Sequence, residues 1–202
     1  MCIRDRDADG LLLNWYGPGE LSAQVKGGAK VRLRQDTEYP RKGRVAIQVD
    51  VAKRVRFALK LRIPYWSERT RVALNGGRLA ADEIDAGRYF VIDREWRRGD
   101  AVVVDFDFRL RQWVGEKECR GRASLFRGPV LLTYDRRFNS LDPDGIPKLD
   151  AQRLRAISCP RVEGPMRRKC CLTAPMPAEE SFVCVTSAAP AKAAHRTSRG
   201  FR

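Results

Sequence analysis

Six cysteines, one histidine and a few close carboxylates are the residues of this chain that could carry chemistry. Cys2, Cys119, Cys159, Cys170, Cys171 and Cys184 show no C-x-x-C spacing, so no zinc or redox pair is written into the sequence. An even count does not by itself establish disulfides. His195, in the basic tail, is the single histidine, which leaves none elsewhere for a histidine-based triad and excludes a multi-histidine metal site within these 202 residues. Asp105/Asp107 and Glu116/Glu118 have the closeness of a carboxylate pair for acid–base work. Asp105 and Asp107, however, fall on the polar positions of an alternating run, where solvated charge is the expectation. Tyr65, Trp66, Trp96 and Trp113 offer flat faces for sugars, but aromatics in a β-rich chain are expected in the core or against a neighbouring domain. The expected outcome is that the chain contains no catalytic, cofactor-binding or metal-binding residues.

The elements that would position these residues are short strands. Val55, Phe57, Leu59, Leu61 and Ile63 alternate with Arg56, Ala58, Lys60 and Arg62 until Pro64 ends the run. Val102, Val104, Phe106 and Phe108 alternate in the same way. Further strands are expected at 11–15, 31–34, 45–49, 71–74, 88–92, 123–126 and 130–134. Gly17-Pro-Gly19, Gly27-Gly28, Asn75-Gly76-Gly77 and Arg98-Gly99-Asp100 supply turn chemistry between them. Strands at this spacing, with no amphipathic helix between them, predict an all-β fold: an antiparallel, jelly-roll-like β-sandwich with a poorly ordered basic C-terminal tail.

The formal net charge of +15 is unevenly distributed. Residues 1–150 hold 30 Lys+Arg against 22 Asp+Glu, whereas residues 151–202 hold 10 against 3. The body is densely charged in both signs, as a solvated β surface is, so nucleic acid is not the expected partner. No apolar run of about 18 residues is present, so no membrane span is expected. No signal peptide is visible, and the sequence leaves cytoplasmic and exported locations both open.

Six segments, taken in order, carry a family resemblance. They are Gly10-Leu-Leu-Leu-Asn-Trp-Tyr16; Val31-Arg-Leu-Arg-Gln-Asp-Thr-Glu-Tyr-Pro40; Leu61-Arg-Ile-Pro-Tyr-Trp-Ser67; Val72-Ala-Leu-Asn-Gly76; Tyr89-Phe-Val-Ile-Asp-Arg-Glu-Trp96 with Arg98-Gly-Asp100; and Arg127-Gly-Pro-Val-Leu131. Roughly residues 7–135 resemble the region that follows the catalytic barrel in glycoside hydrolase family 127, the β-L-arabinofuranosidases. Arg41-Lys42 departs from the family, which commonly shows Trp and an acidic residue after Tyr-Pro.

The resemblance implies a larger parent: an (α/α)6 barrel followed by β-sandwich domains, hydrolysing β-L-arabinofuranosides of plant glycans with retention. It also implies a zinc-bound cysteine nucleophile and a glutamate acid/base in that barrel, N-terminal to Gly10 and absent from this chain. Cys170-Cys171 is similar to the family's adjacent zinc cysteines. It lies after the sandwich rather than before it, lacks a following Pro, and has no preceding glutamate–cysteine ligand set. No cofactor is therefore expected here. The expected partner is the chain's own missing catalytic barrel, with carbohydrate met only through the parent enzyme.

The expected organisation is 1–6 as an adapter-derived remnant, 7–112 as a first sandwich, 113–158 as the start of a second β domain, and 159–202 as a tail. Reading residues 164–202 in a shifted frame permits a closing segment similar to the family's last sandwich. A frameshift between about Ser158 and Gly164 is therefore expected, which would make Cys170, Cys171, Cys184 and His195 wrong-frame products. Two other functions remain open at this level. A carbohydrate-binding module would show exposed aromatics along one edge, and a nucleic-acid binder would bind salt-dependently without residues 159–202.

Overall fold

The computed structural model describes residues 6–7, 10–79, 84–134, 155–157, 169–173 and 181–186. They fall into two compact units, 1–111 with 126–130 and 112–125 with 131–202.

The first unit holds ten strands: β1 (Arg6–Asp7), β2 (Gly10–Leu13), β3 (Gly19–Gln24), β4 (Lys30–Thr37), β5 (Arg44–Val51), β6 (Val55–Arg62), β7 (Arg71–Leu74), β8 (Gly77–Arg78), β9 (Tyr89–Trp96) and β10 (Asp100–Asp105). They form a four-stranded sheet, β1–β2–β6–β9, and a six-stranded sheet, β3–β4–β5–β10–β7–β8. Period-2 alternation decides which side chains enter the core. Val31 and Leu33 of β4, Val45, Ile47 and Val49 of β5, and Val102 and Val104 of β10 bury from the larger sheet. Leu11 and Leu13 of β2, Phe57, Leu59 and Leu61 of β6, and Phe90, Ile92 and Trp96 of β9 bury from the smaller one, in a single cluster with the first set. Trp96 stacks on Phe57 at 5.4 Å between ring centroids, and its Nε1 donates to the Phe57 carbonyl at 2.9 Å. The fold is the expected all-β sandwich.

The sheets contain one parallel pair in an otherwise antiparallel pattern. β2 runs parallel to β6, with Leu11 opposite Leu59 and Leu13 opposite Leu61. At this pairing a Cβ on Gly10 would lie 1.9 Å from the Ala58 carbonyl oxygen, so only glycine fits there. The β7–β8 hairpin turns on Asn75 and Gly76 at φ 50° and 82°, the left-handed values that a two-residue hairpin requires. Arg6, the last residue of the expected adapter remnant, and Asp7 pair with β2 as its edge strand.

Six further strands make the third sheet, in the order β11–β12–β13–β16–β15–β14. They are β11 (Leu110–Val114), β12 (Ala123–Arg127), β13 (Val130–Tyr134), β14 (Arg155–Ile157), β15 (Lys169–Thr173) and β16 (Ser181–Thr186). A single 3-10 turn, Lys117–Cys119, lies between β11 and β12. Sequence reading gives 159–202 little strand pattern, yet β15 and β16 fall inside it and pair antiparallel, with Leu172 opposite Phe182. β-Branched and aromatic residues in Ser-Phe-Val-Cys-Val-Thr give β16 its local strand preference. The remainder of 159–202 lies outside the described residues. No described helix is long and apolar enough to cross a membrane.

Candidate functional site: an aromatic edge beside a polar clamp

The C-terminal ends of β2 and β6 and the start of β9 meet at one edge of the smaller sheet, because β2 parallels β6 and Arg62 lies opposite Tyr89. Beyond Leu13 the chain leaves the sheet as Asn14-Trp15-Tyr16. Tyr16 turns inward, edge-on to Phe106 at 4.8 Å, and its hydroxyl donates to the Arg62 carbonyl at 2.9 Å. Burial pushes the Tyr16 phenol far above its ordinary pKa, so it remains a donor at any physiological pH. Trp15 is left outside at 64% exposure, its carbonyl accepting from the buried Gln35 amide at 3.5 Å.

Around Trp15 the edge is fixed by contacts among its own residues. The Tyr89 hydroxyl donates to Asn14 Oδ1. Arg62 lies over the Tyr89 ring, its Cζ 5.4 Å from the centroid, and its Nη1 donates to the Gly87 carbonyl at 2.6 Å. Gly87 in turn borders Tyr65, which is also 64% exposed. Arg111 covers both Tyr65 and Trp66 at 5.9 and 5.8 Å. The Arg111 Nη2 donates to the Gly128 carbonyl at 3.1 Å, and its Nε is buried without a partner.

Next along the chain, the Trp66-Ser67 turn opens a polar clamp. Ser67 Oγ accepts from the Asp107 backbone N–H at 2.8 Å and shares a 2.7 Å hydrogen bond with Thr70 Oγ1. Arg109 donates to the Asp107 carboxylate through Nε at 2.9 Å and Nη2 at 2.6 Å, and reaches Glu68 at 3.4 Å. Hydrogen bonding from Arg109 outweighs burial and holds the Asp107 carboxyl below its ordinary range. This corrects the expectation of a solvated Asp107. β10 ends at Asp105, and past that end the backbone delivers Asp107 to the serine at 9% exposure. Asp105 does remain on the outer surface, 3.4 Å from Arg44.

A second carboxylate network closes the β9–β10 turn. Asp100 accepts from Asn75 Nδ2 at 2.8 Å and from the Arg97 backbone N–H at 2.9 Å. Burial raises its pKa, but those two hydrogen bonds and the charge of Arg94 outweigh it, and the net direction is down.

The other residues singled out from sequence do not join these groups. Trp66 and Trp96 are buried as expected, whereas Tyr65 is exposed, as is Trp113 in the second unit. Glu116 and Glu118 are exposed beside the 3-10 turn, and Cys119 is an exposed free thiol. Cys170, Cys171 and Cys184 lie on strands described by backbone alone, and Cys2, Cys159 and His195 lie outside the described residues. Among the described residues no three of His, Cys, Asp and Glu gather as a metal site. Sequence reading passed over Trp15. Its only signal was position: it follows the short Leu-Leu-Leu run and precedes Gly-Pro-Gly.

Fold and edge together define a two-sheet β-sandwich module whose buried carboxylates, Asp100 and Asp107, are engaged in hydrogen bonding and ion pairing. Residues 10–108 match the family model described as β-L-arabinofuranosidase, GH127 middle domain. This stretch is a GH127 middle domain. Among solved structures the chain is similar to a GH127 β-L-arabinofuranosidase from Geobacillus stearothermophilus T6, at TM-score 0.75 and 23% identity over 91% of this chain and 32% of that one. A glycoside hydrolase follows at TM-score 0.68 and 22% identity, covering 90% of this chain and 33% of that one. A GH127 β-arabinofuranosidase matches at TM-score 0.65 and 19% identity, covering 88% and 32%. The chain thus spans about a third of the length of these structures. No curated protein matches it.

Proposed function

We propose that the chain is a non-catalytic accessory sandwich of a family-127-type glycoside hydrolase, packing against that enzyme's catalytic barrel. The parent reaction is hydrolysis of β-L-arabinofuranosides of plant glycans. The observation that carries the reading is that the middle-domain match, residues 10–108, falls within the first unit. The zinc implied by the family resemblance does not fit here, because no donor set gathers among the described residues. No step is therefore routed through a metal in this chain.

Two measurements test the reading. Incubating the purified chain with a β-L-arabinofuranoside and assaying free arabinose is expected to give no turnover above buffer. Turnover that follows the protein through purification overturns the non-catalytic assignment. Sequencing the DNA immediately upstream of the Gly10 codon is expected to show an in-frame barrel-coding stretch ending in a cysteine-rich zinc motif. An unrelated upstream sequence overturns the accessory role.

A further inference from the structure

In the third sheet the register of β15 and β16 sets Cys170 directly opposite Cys184, with Leu172 opposite Phe182 two positions on. On the other side of β16, Tyr134 of β13 lies opposite Cys184. β14 ends at Ile157, opposite Cys171, so this row across the sheet closes at Cys170. Residues directly opposite in an antiparallel pair share a face, with Cα atoms about 4.5 Å or about 5.5 Å apart according to whether the position is hydrogen-bonded. A disulfide spans Cα separations of about 4.4–6.8 Å, so either position admits one.

The neighbouring cysteine is placed differently. Cys171 follows Cys170 along β15 and therefore belongs to the other face of the sheet, in a row with Ile157 and Val183. Cys119, a free thiol, lies in the 3-10 turn between β11 and β12, at the opposite end of the strand order from β15. Backbone placement thus singles out one pair. We propose that Cys170 and Cys184 form a reversible disulfide that staples β15 to β16. Both thiols belong to consecutive strands of this chain, so the bond needs no other part of a longer protein.

The oxidant is a small-molecule disulfide such as oxidised glutathione. One cysteine thiolate attacks it, releasing one glutathione thiolate and leaving a mixed disulfide on the protein. The second cysteine thiolate attacks the protein sulfur of that mixed disulfide and releases the second glutathione. Two protein thiols are oxidised by two electrons, one glutathione disulfide is reduced, and the two protons pass to the released thiolates. The bond pins the strand register, because a one-residue slip of β15 carries Cys170 to the face away from Cys184.

Peptide mapping of the full chain tests this. The chain is incubated with oxidised glutathione, its remaining thiols are alkylated, and it is cut after Glu179 and Glu180, which lie between the two strands. Mass spectrometry without reductant is expected to find the fragment holding Cys170 and Cys171 joined to the fragment holding Cys184, and reductant is expected to separate them. Fragmentation between residues 170 and 171 is expected to place the link on Cys170. Cys171→Ser is expected to retain the link and Cys170→Ser to lose it. Oxidation in urea, where the register is gone, is expected to spread the link over both Cys170 and Cys171. Unjoined fragments from the native chain overturn the proposal, as does a link from Cys184 to any cysteine other than Cys170. A native distribution identical to that in urea also overturns it, because chain proximity rather than register then decides the partner. These readings come from the unaltered chain and stand whether or not a variant folds.

Discussion

Arg62 and Arg109 stand at the two ends of one short stretch of surface, and they use the same side chain in opposite ways. Arg109 closes on the nearly buried Asp107, and that carboxylate belongs to a network that ties the Trp66-Ser67 turn to the segment after β10. Arg62 lies over an aromatic ring and donates to a backbone carbonyl, with no carboxylate partner among the described residues. A guanidinium bound to a desolvated carboxylate stabilises the fold, because losing either partner strands a polar group. A guanidinium held by a carbonyl and a ring is ordered but still has donors to offer. Adjacent residues repeat the contrast: Trp66 is buried against Phe106 and Phe108, while Tyr65 points outward.

The sharpest way to break this contrast is at those neighbours. Trp66→Ala empties a site bordered by two rings and Arg111, and is expected to cost about 3–5 kcal/mol in denaturant unfolding. Tyr65→Ala is the matched control. Asp107→Ala is expected to cost about 2 kcal/mol, read from the shift in urea midpoint at constant slope. Equal costs for Asp107→Ala and Arg62→Gln would erase the distinction between clamp and edge.

Acid titration separates the two settings by sign. Asp107 and Asp100 have folded pKa values below the ordinary aspartate value of about 3.9. Their contribution is therefore complete above that value and is lost as pH falls through the depressed folded values. Unfolding free energy measured from pH 6 downward is expected to decline across that acid window, and less steeply in Asp107→Asn. An Arg62→Gln protein is expected to follow the parent slope, since that substitution leaves the Asp107 and Asp100 networks intact. The smallest effects belong to the exposed rings: Trp15→Ala and Tyr65→Ala are each expected to shift stability by no more than about 0.5 kcal/mol.

Much of this molecule was legible from alternation. The buried set Phe57, Leu59 and Leu61 follows directly from the period of β6, and the hairpin at Asn75-Gly76 from its residue types. Period 2 assigns a face but not a neighbour, so the parallel union of β2 with β6 was not readable. Nor does it say where a strand stops. The alternation through Phe108 suggested a solvated Asp107, but β10 ends at Asp105 and the backbone then turns the side chain toward Arg109. The exposed edge was hidden for the same reason. Continuing Leu11 and Leu13 inward places Trp15 in the core, whereas β2 ends at Leu13 and Tyr16 takes the inner position. β3, Gly19–Gln24, was missed because Gly-Glu-Leu-Ser-Ala-Gln alternates in exposure with few apolar residues.

The insertion of β2 between β1 and β6 has a consequence for the order in which the chain assembles. β3, β4 and β5 are consecutive and pair as neighbours in one meander, so they form with short loop closures. β2 precedes all three in sequence but must wait for β6 before it finds its parallel partner. The smaller sheet is therefore dominated by non-local pairing, the class of contact that slows folding. A chain emerging from the ribosome would carry Leu11, Leu12 and Leu13 without their β6 partner until residue 62 is free, an interval open to aggregation.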